Sequence, residues 1–202
     1  MVKQTVRIVG FAFAALLSCG APVGAQSLTD QRTIDDIRQA LTRLHDYGVF
    51  DFLTMQYERG TVTLSGFVYR PSLKRDVISA TRRVARVDEV VDQIGELPNS
   101  QNDDRIRWHT FDLIYRDDAL ARYGAGGGLT SFDDQVNSRQ FPGMQPFGTY
   151  AIHIIVKGGR TLLVGVVDSE IDKRIAGVRA GEVPGSFGVD NQLVVATRNR
   201  SR

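Results

Sequence analysis

Residues 158–174 read GGRTLLVGVVDSEIDKR, and residues 59–75 read RGTVTLSGFVYRPSLKR. Each copy runs a glycine turn, a strand that ends in glycine plus apolar residues, and then a helix. A chain that writes one pattern twice builds one small unit twice, and this repeat constrains the fold more than any composition does.

The first unit opens with TIDDIRQALTRL, where Ile34, Ile37, Leu41 and Leu44 mark one stripe of an amphipathic helix. Thr33 is placed to cap its start, with Asp35 and Asp36 at the positive end of the dipole. In FLTMQYERGTVTLSGFV, Leu53, Met55 and Tyr57 alternate with more polar neighbours, as do Val62, Leu64, Gly66 and Val68. Period two on both sides of Glu58-Arg59-Gly60 predicts a β-hairpin. PSLKRDVISATRRVARV follows as a helix with Leu73, Val77, Ala80 and Val84 on one face, and DEVVDQIGEL gives a last strand. The unit reads α-β-β-α-β.

The second unit follows the polar stretch PNSQND and opens with the helical segment DRIRWHTFDLIYRDDALARY. Its hairpin repeats the first at an offset of 99 residues: Ile152, Ile154 and Val156 match Leu53, Met55 and Tyr57. Gly159 and Gly165 match Gly60 and Gly66. The next helix is aligned at 98, so that Ile171, Ile175 and Val178 take the core places of Leu73, Val77 and Ala80. Gly66 and Gly165 fall at inward positions of their strands, where a side chain is expected to meet a packed helix.

The N-terminus reads as a secretory signal over residues 1–25. Lys3 and Arg7 form a positive start, Ile8 to Leu17 an apolar run too short to span a bilayer, and Val23-Gly24-Ala25 a small-residue cleavage site before Gln26. A second reading stands beside it, because Leu16-Leu17-Ser18-Cys19 resembles a bacterial lipobox with Cys19 as the lipidated residue. Cys19 is the only cysteine, so the chain can form no internal disulfide. The 25 basic and 23 acidic residues become 23 and 23 once residues 1–25 are removed. That balance argues against a nucleic-acid binder, which needs a basic face, although the C-terminal RNRSR is a local basic patch.

A signal followed by two such repeats, each with G-x-V/L-x-L/V-x-G-x-V, resembles the BON domain family of bacterial periplasmic proteins and outer-membrane lipoproteins. The resemblance implies an α+β fold of two tandem α-β-β-α-β units, each a small mixed sheet packed against two helices. It places a first domain at 30–97, a linker at 98–102 and a second domain at 103–197. It also implies a non-enzymatic role in a periplasmic or membrane-attached protein: association with membrane phospholipid, envelope integrity and stress tolerance. No catalytic residues carry over, and Gly60, Gly66, Gly159 and Gly165 are fold markers. Residues 124–149 depart from the pattern as an insertion in the second unit, of the length that is usually functional or disordered.

The residues themselves offer no catalytic constellation, cofactor site or metal site. Gly124-Ala125-Gly126-Gly127-Gly128 lacks the Lys-Ser/Thr of a phosphate-binding loop and follows a helix rather than a strand, so no nucleotide is expected. His45, His109 and His153 stand in separate elements without ligand spacing. His153 is expected to be satisfied or half-exposed. The paired aspartates at 35–36 and 103–104 sit at helix starts, where the dipole favours them.

Surface residues carry the candidate function. Phe132, Phe141, Met144 and Phe147 lie in the insertion with Arg139. They either wedge into a bilayer interface or fold back over the second unit's sheet. Trp108 and Phe111, beside Arg105 and Arg107, are either interface-seeking groups or the packing seam between the units. Each unit is small enough that the halves are expected to pack on one another. Two functions follow: peripheral binding to membrane phospholipid, or docking and holding of an envelope protein.

Overall fold

A computed structural model describes residues 28–44, 46–124, 145–147 and 150–196. Residues 1–27, with Cys19 and the Ala25–Gln26 junction, lie outside the described residues, as do His45, Phe132, Arg139, Phe141, Met144 and the C-terminal RNRSR.

The first unit comprises α1 (Leu28–Thr42), β1 (Phe52–Glu58), β2 (Thr61–Val68), α2 (Pro71–Arg82) and β3 (Glu89–Glu96). The second comprises α3 (Gln101–Tyr115), a 3-10 turn at Ala121–Tyr123, β4 (Gln145–Phe147), β5 (Ile152–Lys157), β6 (Arg160–Val167), α4 (Glu170–Gly181), β7 (Gly188–Asn191) and β8 (Val194–Val195). The fold is α+β, with helices over one face of each small mixed sheet.

α1 begins five residues before Thr33, so Thr33 is no cap. It is buried in the second turn beside Ile34, and Asp35 and Asp36 lie past the first turn. Ile34, Ile37 and Leu41 meet Leu53, Met55, Val62, Leu64, Leu73 and Val77 in the first core. β1 and β2 pair antiparallel around the two-residue turn Arg59–Gly60, both at positive φ (47° and 86°). Such a turn matches the twist of the strands it joins. β2 and β3 run parallel, with α2 as the crossover. Leu73, Val77 and Ala80 are buried on α2, as the stripe predicts.

The second unit repeats this order. β5 pairs antiparallel with β6 around Gly158–Gly159, and β6 pairs parallel with β7 and then β8. β3 is unbroken over eight residues, whereas its counterpart is interrupted at Gln192–Leu193, where the Gln192 N–H donates to the Leu163 carbonyl (2.9 Å). α3 takes the place of α1, packing on β5 and α4.

The offset of 99 persists through the helix, which corrects the alignment at 98. Gly60 O accepts from Asp88 N (2.8 Å) and Gly159 O from Phe187 N (2.7 Å). Val68 O accepts from Leu97 N, and Val167 O from Ala196 N. Every one of these pairs is 99 residues apart. The buried positions of α4 are therefore Asp172, Ala176 and Ala180, and Ile171 and Val178 are exposed. Apolar character misled the sequence alignment at two of its three positions: Ile175 does pack, half-buried, against the second core, but the fully buried places of α4 are held by small residues and one carboxylate.

The units interlock. Alternation along the strands turns Phe52, Phe67, Leu162, Val164 and Ile155 away from the helices, and these residues meet with Leu97 and Tyr69 between the two sheets. Val49 and Phe50, from the loop after α1, enter the core of the second unit, and Val49 O accepts from Ile154 N at the edge of β5 (2.9 Å). In exchange, β4 from the second unit's insertion pairs antiparallel with β1, placing Phe147 opposite Leu53. Its backbone thus extends the first unit's sheet.

Candidate contact surface and the seam beneath it

Ser100 caps α3, its hydroxyl accepting from Asp103 N (3.2 Å). Asp103 then reaches the hairpin of the same unit, accepting from Gly158 N (2.9 Å) and Gly159 N (2.8 Å). α3 is fixed against β5 by this carboxylate and by Arg107, whose Nη2 donates to Val156 O (2.7 Å).

Arg107 is fully buried. Its guanidinium pairs with Asp104 and lies over the Tyr69 ring of the first unit, 5.0 Å from the centroid. Burial, then the Asp104 carboxylate, raise the Tyr69 phenol above its ordinary pKa. Arg107 therefore belongs to the seam, and its place as a surface contact residue is corrected. The cause is the inward stripe Asp103, Ile106, Arg107, Thr110 and Ile114, in which an arginine occupies a core position.

Trp108 lies one residue further round the helix and is 57% exposed. Its ring stacks edge-on against Phe50 (4.9 Å) and Phe111 (5.8 Å), and Phe111 meets Tyr115 at a tilt (4.9 Å). Phe111 is half-buried against the second core. Seam and surface thus meet in one aromatic row, with Phe50 of the first unit at its foot and the indole at its open end. Arg105, one turn earlier, is exposed and donates to the Asn102 amide oxygen (2.7 Å). The sequence places these residues together but gives no sign of Phe50, which reaches the row only because the units interlock.

His153 is 1% exposed, set between Tyr47 (5.7 Å) and Phe52 (5.5 Å), and its Nδ1 has no hydrogen-bond partner among the described residues. The expectation of a satisfied or half-exposed histidine is corrected: its strand face meets the other unit rather than water. Burial pushes its pKa down to about 4, against the opposing effect of the nearby Asp51, Gly48 and Tyr150 backbone.

The four glycines occupy equivalent sites. Gly66 and Gly165 have φ of 115° and 130°, and a Cβ there would lie 2.0 Å from the carbonyl oxygens of Phe52 and Ala151. The obstruction is the backbone of the neighbouring strand, where the sequence suggested a helix. Gly60 and Gly159 close the hairpin turns beneath Asp88 and Phe187.

An open groove of about 550 Å³ lies at the N-terminus of α4, lined by Arg122, Asp168, Ser169, Ile171, Asp172 and Ala196. Burial raises the Asp172 pKa, but donation from Ser169 (2.7 Å), Tyr123 (2.9 Å) and Arg122 (2.7 Å) outweighs it and holds the carboxyl below its ordinary value. This network ties α4 to the 3-10 turn. Among the described residues, no group of three or more His, Cys, Asp or Glu is placed to hold a metal ion, and no helix is long and apolar enough to cross a membrane.

The sequence profile of the BON domain family matches residues 29–95 and 138–197. The chain belongs to the BON domain family. The first match of this BON protein spans α1 to β3, and the second starts within the insertion, so α3 falls between the two. A search among curated proteins found no match. Among solved structures, similarity extends to CdsD, a structural protein of the type III secretion system of Chlamydia trachomatis. The identity is 13% over 81% of this chain and 92% of that one, with a TM-score of 0.27. The C-terminal domain of CdsD is similar at 13% identity over 80% and 96% of the two chains, also with a TM-score of 0.27.

Proposed function

We propose that this BON protein is a non-enzymatic envelope protein, exported across the inner membrane, whose interlocked modules associate with membrane phospholipid and support envelope integrity under stress. The observation that carries the reading is Trp108, an indole 57% exposed yet held from beneath by Phe50 and Phe111, with Arg105 one turn away. An amphipathic ring beside a cation suits the boundary between headgroups and acyl chains. Moving such a ring from water into that boundary contributes about 1.5–3 kcal/mol.

The test is co-sedimentation with anionic and zwitterionic vesicles at low and high salt. It uses a chain beginning at Gln26, which keeps every described element. Binding to anionic vesicles that weakens with salt is expected, because screening removes the headgroup attraction. Trp108→Ala is expected to weaken it by roughly tenfold. No binding to any vesicle would replace this reading with docking on an envelope protein.

A further inference from the structure

Among the described residues, three large apolar side chains besides Trp108 stand out in solvent: Ile171 (60% exposed), Val178 (60%) and Phe187 (75%). All three lie in the second unit. At the offset of 99 that the backbone hydrogen bonds fix, the first unit carries Ser72, Ser79 and Asp88 in the same places. The fold does not require apolar groups there, since one copy is built without them. Ile171 and Val178 form the outer crest of α4, opposite the buried Asp172, Ala176 and Ala180, with Arg174 exposed between them. In α2 the same crest reads Ser72, Arg75, Ser79.

Beyond the C-terminus of α4 the chain turns to Phe187, which lies over Gly159 of the hairpin turn as Asp88 lies over Gly60. The charges around this corner also change between the copies. Glu58, Asp88 and Glu89 surround it in the first unit, and Lys157, Phe187 and Gly188 stand in their places in the second. Thr61, which donates to Glu89, is replaced by Arg160, whose guanidinium lies against Gly188. Arg105 reaches the same loop at Gly185. A corner of mixed charge, in which Arg59 and Arg86 stand beside the three acids, has become an apolar tip with Lys157, Arg160 and Arg105 around it and no acid at the matched places.

We infer that an anionic lipid surface engages the second unit through the Phe187 corner and the Ile171–Arg174–Val178 crest of α4. This site rests on the phospholipid reading above and adds to it a second contact that Trp108 does not provide. Lys157, Arg160, Arg105 and Arg174 meet the headgroups, and the apolar groups between them enter the boundary layer. The first unit, with serines and acids at the same places, does not bind in this way.

The first unit itself supplies the test. The chain from Gln26 carrying Ile171→Ser, Val178→Ser and Phe187→Asp holds only residues that the same fold already accommodates at those places. It is expected to melt with the parent and to bind anionic vesicles at least tenfold more weakly. If the parent binds and this variant binds equally well, the site is overturned and the phospholipid reading stands. If the parent binds no vesicle, both fall. If binding is equally strong on zwitterionic vesicles and indifferent to salt, the role given to the four cations is overturned. A second readout places a lone tryptophan at the corner, with Phe187→Trp in a Trp108→Phe background. Blue-shifted emission quenched by brominated acyl chains in anionic vesicles is expected, and emission unchanged by vesicles that the protein does bind would overturn the site.

Discussion

At the scale of single residues, glycine is decided by what surrounds it. Gly66 and Gly165 combine positive φ with a neighbouring carbonyl 2.0 Å from any added Cβ. The strand must separate from its partner before a side chain fits. Gly66→Ala and Gly165→Ala are each expected to lose more than about 2 kcal/mol in urea melts. Gly158 has φ of 60° and nothing within 4 Å of an added Cβ, so Gly158→Asn is expected to stay within about 0.5 kcal/mol. Asp103 is a different case, because its carboxylate satisfies two backbone N–H groups of the hairpin turn, one of them buried. Asp103→Ala is expected to cost about 2–3 kcal/mol, read by the same melts.

At the scale of elements, the two copies of the second helix start differently. α4 has Ser169 as its N-cap, accepting from Asp172 N (3.1 Å), whereas α2 begins after Arg70, whose side chain caps nothing. Ser169→Ala is expected to cost about 1 kcal/mol, and Arg70→Ser to gain about 0.5–1 kcal/mol, measured as shifts in urea midpoint at constant m. The exposed pair that Arg70 makes with Asp46 (3.5 Å) holds too little free energy to reverse that gain. Asp172 shows how far the copies have diverged around one backbone. It stands where the first unit has Leu73, and it is tolerated because Ser169, Tyr123 and Arg122 converge on it.

For the whole molecule, the exchange of Val49–Phe50 for β4 ties each unit into the other: β4 extends the first unit's sheet, and Val49 and Phe50 complete the second unit's core. One cooperative transition is expected, with amides of β2 and β6 exchanging at the same opening free energy. Tyr69→Ala, which removes the ring beneath Arg107, is expected to separate the two. Acid acts on the same seam through His153. Its pKa is lower in the folded state, so as pH falls below about 6.5 the unfolded chain takes up a proton that the folded chain refuses. Stability is therefore lost between about pH 6.5 and 4, by up to roughly 3 kcal/mol, and the loss levels off below that. Asp51, raised by burial, works in the opposite sense, because the folded state takes up its proton more readily. Comparing His153→Gln with the parent isolates the histidine, and the stability of the variant between pH 7 and 4 is expected to fall less steeply.

The sequence by itself determined the repeating unit, both hairpin turns and the element order. These rest on local rules, namely period-two alternation, glycine at positive φ and apolar spacing on α2, which act over a few residues. It placed Trp108 and Phe111 together for the same reason. It did not reveal that Ile171 and Val178 point outward, although a strict offset of 99 through the helix would have shown it. Apolar character marks a core only when another element covers it, and Asp172, Ala176 and Ala180 were the covered residues. Phe50 beneath Trp108, Arg107 over Tyr69, His153 in the seam and β4 on the edge of β1 depended on how the two sheets meet. Such contacts join residues tens of positions apart, and no local pattern encodes them, so only the tertiary structure could decide which faces were left for a partner.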